Sequence, residues 1–380
     1  MSYKFNDEQV MIQKMVSEIA LQKVEKHAAE IDKTGEYPEE LMTLLREQGI
    51  LSLPFPTEYG GGGGDCLTMC IVLEELSKVC GNTAMVIATT ELGTMPLILA
   101  GNEFQKDKYL TPIARGESAC CFGLTEPDAG SDVANMRTTA HRKNGEYIIS
   151  GSKQWISFAD KSDYMCLFAK TAPEKGVQGI SGFIVEMKTP GITIGKKEEK
   201  MGFRGFNSCE LFFDDLRVPE ENLLGDEGQG FRIAMQTLDR TRPLVAAVGV
   251  GTAQGALDYA IDYSKKRVQF GQPICNFQGL QFMMADMGMQ IEAARQLVYK
   301  AATAIDDDDP QLTRLGAMSK CFATDVAVSV TVDALQILGG YGYMKEYPME
   351  RKMRDAKLLQ IVEGTNQIQR VVIARSLLKG

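Results

Sequence analysis

Histidine is almost missing from this sequence: His27 and His141 are the only two in 380 residues. Zinc hydrolases and Ser-His-Asp chemistry therefore have almost no material to work with. The nine cysteines form no CxxC pair, and Cys66, Cys70, Cys80, Cys120, Cys121, Cys166, Cys209, Cys275 and Cys321 sit mostly among apolar neighbours. That pattern reads as buried, reduced thiols rather than a metal site. No stretch approaches the ~20 uninterrupted apolar residues of a membrane span, which argues against a membrane partner. A basic surplus is also lacking, since 41 Lys and Arg stand against 50 Asp and Glu, for a net charge of −9. No nucleic-acid partner is expected, because phosphate-backbone binding needs clustered Lys and Arg. The opening residues, MSYKFNDEQVMIQKMV, carry neither an apolar signal core nor Arg-rich transit character, so the expected location is cytoplasmic.

At roughly 150 residues per domain, the length suggests two or three domains. From Asn6, a good N-cap, to about Lys33 apolar residues recur at helical spacing and predict one long amphipathic helix. A second helix follows Pro38 and stops at Gly49, and the loop PFPTEYGGGGGD after it reads as the most flexible stretch of the chain. Further helices fit residues 65–79, 83–100 and 103–115, making 1–116 an all-helical domain. Residues 117–227 change character, with short β-branched and aromatic runs, EYIISG, KQWISF, DYMCLFAK, ISGFIVEM and CELFFDDLRV, punctuated by Gly, Pro and Asp. Helical periodicity returns over 228–380, with segments near 229–265, 275–304, 311–338 and 345–356 and a last helix from 366. Long helices with short connections predict an antiparallel bundle, and AIDDDDP reads as a solvated loop ending a helix. The fold class is thus α+β multidomain.

Chemistry-bearing residues cluster in a few segments. CCFGLTEPDAGSD, residues 120–132, ends a strand and packs Thr125, Glu126, Asp128, Gly130, Ser131 and Asp132 together. Its amides and hydroxyls suit a polar heterocycle or a diphosphate, and an ordinary capped turn is the alternative. In KQWISF the only Trp, Trp155, precedes Ser157 on the same side of a strand. An indole beside a hydroxyl can cover a flat cofactor, or the Trp can simply be core. KKRVQFGQPICNFQ sets Arg267, Phe270 and Gln278 around a Gly-Pro helix break, and QILGGYGY brings Gln336, Gly339 and Gly340 to another. Arg beside glycine-exposed backbone suits a diphosphate or an adenine ribose, and a helix stop is the plainer reading. KLLQIVEGTNQIQR places Glu363 and Gly364 just before Thr365, the predicted N-cap of the last helix. Glu363 is either a solvated carboxylate suited to the helix dipole or a base on a Gly-flexed turn after the strand-like run LLQIV.

LTEPDAGSD, KQWIS, RVQFGQP, QILGGYGY and VEGTNQIQR, in this order, resemble the acyl-CoA dehydrogenase family of flavoproteins, in its short- and medium-chain-like branch. The resemblance covers essentially the whole chain. It implies an all-α N-terminal domain, a middle antiparallel β-domain and a C-terminal four-helix bundle, assembled as a homotetramer built from two dimers. It implies FAD, with Phe122, Leu124, Thr125 and Ser131 along the flavin and ribityl, and Trp155 and Ser157 near the ring. Most relatives carry Thr where Ser157 stands. Arg267, Phe270 and Gln278 are implied to hold the adenylate half of the neighbouring subunit's FAD, Gln336, Gly339 and Gly340 its diphosphate, and Thr365 and Gln367 the final cofactor contacts.

The same resemblance implies the reaction, a step of fatty-acid β-oxidation. Glu363 is the implied base that removes the α proton of an acyl-CoA, hydride passes from the β carbon to flavin N5, and electrons pass on to an electron-transferring flavoprotein. The Glu363 N–H and a ribityl hydroxyl would polarise the thioester carbonyl. Some relatives place the base in the helix reading LDRTRPLVAA here, where Thr241 stands instead. Asp239 and Arg242 resemble CoA contacts, Ser131 and Gly364 are implied to touch substrate, and Val362 replaces a common Tyr. Glu91 departs from the pattern as the single ionisable group in TAMVIATTELGTMPLILAGN, a helix that lines the distal acyl pocket in the family. It either faces solvent or a basic partner, or it serves an alicyclic or polar-ended acyl group. The competing readings are an acyl-CoA oxidase and a catalytically silent flavin-binding protein, including a DNA-associated branch of the fold.

Overall fold

The computed structural model describes residues 4–379. Helix α1, Asp7–Ile19, opens with a capping box in which Asn6 accepts from the Gln9 N–H at 2.8 Å and Gln9 accepts in return at 3.1 Å. The predicted long helix continues through a π turn, Ala20–Val24, and a 3₁₀ turn, Glu25–His27, into α2, Ala28–Thr34. Val16, Ala20, Val24 and Ala28 are all buried. At 3.6 residues per turn a strict four-residue repeat drifts by about 40° per step, and the wider π turn takes up that drift. After α3, Glu39–Glu47, comes the glycine loop. It is not a flexible stretch: the amides of Gly61, Gly62, Gly63 and Gly64 donate to Pro56, Ser52, Phe55 and Leu53 carbonyls at 2.7–3.0 Å. A Cβ on Gly61 would lie 2.1 Å from the Phe55 carbonyl oxygen, so the glycines serve close packing rather than freedom.

The N-terminal region closes with α4, Cys66–Ser77, α5, Gly81–Ala100, α6, Glu103–Gln105, and α7, Thr111–Ala114. Asp65 caps α4 on the Thr68 N–H at 2.7 Å. From AIDDDDP, Asp306 accepts from the next two free amides, Cys66 N at 2.8 Å and Leu67 N at 3.2 Å. That segment is therefore more than a solvated loop, since one of its carboxylates ties the C-terminal helices to the N-terminal ones.

The middle region is a sheet of β1, Cys120–Gly123, β2, Thr139–Lys143, β3, Glu146–Ser157, β4, Tyr164–Lys170, β5, Ile180–Glu186, β6, Ile192–Lys197, β7, Ser208–Pro219, and β8, Leu223–Leu224. The strand order is β6-β7-β3-β2-β4-β5-β8, with β1 paired to β4. It is mixed rather than purely antiparallel, because β1 and the start of β2 both run parallel to β4. EYIISG and KQWISF form one strand, β3, whose register against β7 shifts between Ile149 and Gly151 and again between Lys153 and Ile156. The second irregularity re-aims the side chains of KQWIS.

The C-terminal region comprises α8, Gly230–Lys266, the hairpin β9, Val268–Gln269, and β10, Gln272–Pro273, then α9, Gln278–Asp306, α10, Leu312–Leu338, α11, Met349–Leu359, and α12, Asn366–Leu378. Helix α10 is central and packs on α8, α9, α11 and α12, while α8 also receives α4 and α5. One apolar core thus runs from Val16 through Leu73 and Val248 to Ala334, and the sheet has a separate core around Tyr147, Phe183 and Leu211. By length and composition three helices, Gly81–Ala100, Gly230–Lys266 and Leu312–Tyr343, would suffice to cross a bilayer, although no uninterrupted apolar run signals them; 67%, 72% and 56% of their most apolar windows are buried inside the protein.

Candidate active site

The run LLQIV is not a strand: Leu358 and Leu359 end α11, and the amides of Ile361 and Val362 fold back onto the Leu358 carbonyl at 2.8 and 3.1 Å. The turn that follows holds Glu363 at φ 51° and Gly364 at φ 85°. A left-handed non-glycine residue costs on the order of 1–3 kcal/mol, so its surroundings must hold it there. Gln369, fully buried, donates to the carbonyls of Glu363 and Gly364 at 3.0 and 2.9 Å. Lys320 donates to Gly364 at 2.8 Å, and Thr365 caps α12 on the Ile368 N–H as expected.

This turn aims the Glu363 carboxylate at α8, where the Thr241 hydroxyl donates to its Oε2 at 2.8 Å. Burial raises the carboxyl to about 7, against the opposing pull of Thr241, Lys320 and Arg242. Its backbone N–H donates to no acceptor among the described residues. Arg242, one residue on from Thr241, is buried and donates to Asp239, which also accepts from Thr313 at 2.6 Å, while the Arg242 Nε has no partner among the described residues. Glu91 does not face solvent or a cation: it is 6% exposed, and its Oε2 has no hydrogen-bond partner among the described residues. Burial first, and then the charges of Glu363 and Asp306, push it up to about 8. Glu363, Thr241, Arg242 and Glu91 therefore share one neighbourhood where α5, α8 and the α11–α12 turn converge.

The sheet supplies a second group. Trp155 lies at the β3 irregularity with φ 56°, and its side chain is exposed rather than core, at 58%. Ser157, two places on, is half-buried, and the irregularity at Trp155 breaks the strict strand alternation expected between them. Phe122 sits edge-on to Phe168, Leu124 is buried, and Ser131 is exposed beyond the turn. The Thr125 carbonyl accepts from the Gln154 N–H at 2.9 Å, which joins the two motifs. A pair that hydroxyl- and indole-centred reasoning passed over makes the stronger joint: fully buried Lys153 donates to Glu126 at 2.8 Å and to the Leu124 carbonyl at 3.0 Å. KQWISF carries a single charged residue, Lys153, and that was the available signal; Glu126 is one of three acids in its own motif, with Asp128 and Asp132.

A third group lies beyond α8 and α10. Arg267, Phe270, Gln336, Gly339 and Gly340 line a single cleft of about 610 Å³, with the Arg267 guanidinium 5.3 Å from the Tyr341 ring centre. Phe270 is 93% exposed, and a Cβ on Gly339 or Gly340 would meet nothing within 4 Å. Gln278 opens α9 and Gln367 lies exposed on α12, and neither lines the cleft. No sheet residue lines it either. An exposed indole, an open glycine turn and a guanidinium on an aromatic face suit the flat ring, diphosphate and adenine of FAD.

Sequence profiles of the acyl-CoA dehydrogenase N-terminal, middle and C-terminal domains match residues 6–117, 121–216 and 228–378. The chain is 46% identical over 374 residues to an acyl-CoA dehydrogenase of Bacillus subtilis (strain 168), covering 98% of both. Among solved structures it matches butyryl-CoA dehydrogenase from Megasphaera elsdenii at TM-score 0.97 and 45% identity, over 100% of both chains. It also matches a chain in a structure described as the electron transferring flavoprotein of Acidaminococcus fermentans, at TM-score 0.98 and 48% identity, again over 100% of both. The chain belongs to the acyl-CoA dehydrogenase family and is an FAD-dependent oxidoreductase acting on acyl-CoA.

Proposed function

We propose that this protein converts an acyl-CoA thioester to its 2-enoyl-CoA, with Glu363 as the base. The observation that carries this reading is the Glu363 carboxylate itself, held on a left-handed turn, fixed through one oxygen by Thr241 and raised to about 7. A base works best when its pKa lies near the operating pH, and burial brings this carboxyl up toward neutrality. The chemistry that bound FAD would supply is a hydride acceptor for the β carbon. The protein's own part is to orient and to exclude water. Thr241 leaves the second Glu363 oxygen for the α proton, and the unpartnered Glu363 N–H is available to the thioester carbonyl. Arg242, Asp239, Ser131 and Gly364 are assigned to the CoA and acyl portions, with the unpaired Arg242 Nε as the free donor.

The FAD contacts expected from the motifs are kept as proposals for the sheet and cleft groups, with the cleft serving a neighbouring subunit. Exposed Phe282, Met289 and Phe322 on α9 and α10 support a homotetramer. An electron-transferring flavoprotein is the proposed acceptor partner, a short acyl chain the favoured substrate, a cytoplasmic location the working assignment, and breaks near residues 117 and 228 the domain boundaries. A second reading rests on Glu91: a buried acid with an unsatisfied oxygen beside the base favours an alicyclic or polar-ended acyl group.

Anaerobic bleaching of the holoenzyme by butyryl-, branched, dicarboxylic and alicyclic acyl-CoAs tests both readings. Glu363→Gln is expected to slow bleaching by about a hundredfold or more with every substrate. Retained activity in that variant would remove Glu363 as base, and no bleaching of the wild type by any thioester would point to a silent flavin-binding protein. Glu91→Gln should alter the substrate profile if the second reading holds; an unchanged profile ends it.

A further inference from the structure

We propose that Lys320 is a positioning residue of this site, its ammonium fastening the Glu363–Gly364 turn and acting as the counter-charge of the Glu363 carboxylate; this rests on Glu363 being the base. Lys320 lies inside α10 with no exposed surface. Its Nζ donates to the Gly364 carbonyl at 2.8 Å and the Asn366 Oδ1 at 3.0 Å, both neutral, and it makes no ion pair among the described residues. A buried ammonium without a paired anion is costly, so its retention calls for a partner at longer range.

The charges around it identify that partner. Asp325, one turn along α10, pairs with Arg370 of α12 at 2.6 Å and accepts from Gln360 and Asn366 at 2.7 Å. Arg242 of α8 is paired with Asp239. Cys321 faces the Asn366 carbonyl, with its thiol raised by burial. Glu91 of α5 is itself held high, by burial and by Glu363. Among the described residues around this turn, Lys320 and Glu363 are left as the cation and the anion without a dedicated opposite charge, Glu91 being held in its neutral form. Burial lowers the Lys320 ammonium to about 8, with Glu363 the largest opposing influence. The hydrogen bond to Gly364 places that charge on the same turn that aims the base, so geometry and electrostatics are fixed by one side chain.

The test compares wild type, Lys320→Met, Lys320→Gln and Glu363→Gln holoenzymes by anaerobic flavin reduction with butyryl-CoA from about pH 5.5 to 9. FAD content and thermal midpoint are measured alongside. A cation beside a carboxylate favours its ionised form, so neutralising Lys320 should move the acid limb of the rate profile up by about one pH unit or more. Well below the limb, that is about a tenfold slower reduction for each pH unit moved. Lys320→Gln keeps a donor without the charge and should show the displaced limb with a smaller loss of limiting rate than Lys320→Met. Either variant holding FAD with a profile superimposed on the wild type overturns the proposal. Loss of FAD and fold in both assigns Lys320 to stability alone and also overturns it. Undiminished reduction by Glu363→Gln would instead remove the base reading on which the proposal stands.

Discussion

Two carboxylates, buried Glu126 in the sheet and half-buried Glu363 at the edge of the helical core, show how the same side chain is made into a fastener or a reagent. Burial acts upward on both. At Glu126 the Lys153 ammonium and the N–H groups of Arg137 and Thr138 outweigh it, and the carboxyl lies below its ordinary value. At Glu363 one hydroxyl and two more distant cations do not outweigh it, and the group settles at about 7. A fully paired carboxylate stays charged and immobile; one deprived of a direct cation can exchange its proton near neutrality.

The strongest way to break this contrast is to remove a partner on the paired side. Lys153→Met leaves Glu126 charged and buried with no cation, which should cost ~3–5 kcal/mol of unfolding free energy. Urea unfolding of the variant checks it. Glu126→Gln combined with Lys153→Met should lose less than the two single changes added together, because the double variant strands no charge. Additive losses would mean the pair is not coupled, and Glu126 would no longer serve as the reference for Glu363.

A smaller effect, of opposite sign, is expected at Glu91. Glu91 moves from 4.5 to about 8 on folding. Below pH 4.5 folded and unfolded chains both hold this proton; from there to about 8 only the folded chain keeps it, so stability falls as pH rises, and the loss is complete above about 8. Glu91→Gln should therefore be more stable than wild type by ~1–3 kcal/mol near pH 8 and close to it near pH 5. Unfolding at the two pH values measures this directly. Equal differences at both would mean that Glu91 is not a protonated buried acid.

What could be read in the chain divides along the same line. The helices, the strand runs and the motif loops follow from local chemistry, and Asn6, Thr365 and the Gly364 turn act where their neighbours in sequence predict. What could not be read depends on residues far apart in the chain. The glycines after Pro56 suggest freedom by composition, yet they pack against Leu53 and Phe55. The parallel pairing of β1 with β4 leaves no mark in either strand. Lys153 and Lys320 are lysines in ordinary-looking strand and helix patterns, and only the fold shows that each is buried against a particular oxygen set. Glu91 was legible as an oddity but not as a neighbour of Glu363, since α5 and the α11–α12 turn meet only in space.

Asp306 sharpens the comparison with a third case, a carboxylate satisfied by backbone alone. It accepts from the Cys66 and Leu67 amides, the free N–H groups at the start of α4, and has no cation partner among the described residues. Partial desolvation of this surface carboxyl raises it to about 6, although those two hydrogen bonds pull the other way. Backbone donors without a full positive charge therefore place it between Glu126, held low, and Glu91, held at about 8. Asp306→Ala loses both bonds and should cost ~1 kcal/mol, as for other helix caps, while Asp306→Asn keeps an acceptor oxygen and should cost less. Because α4 also carries Cys66 and Cys70, which lie near Glu91, fraying at this end should loosen the helical wall beside Glu91. Amide exchange at residues 66–68 in the Ala variant should then rise before that of the α10 interior. Uniform exchange across both helices would mean that the cap supports the whole helical core rather than the wall beside Glu91.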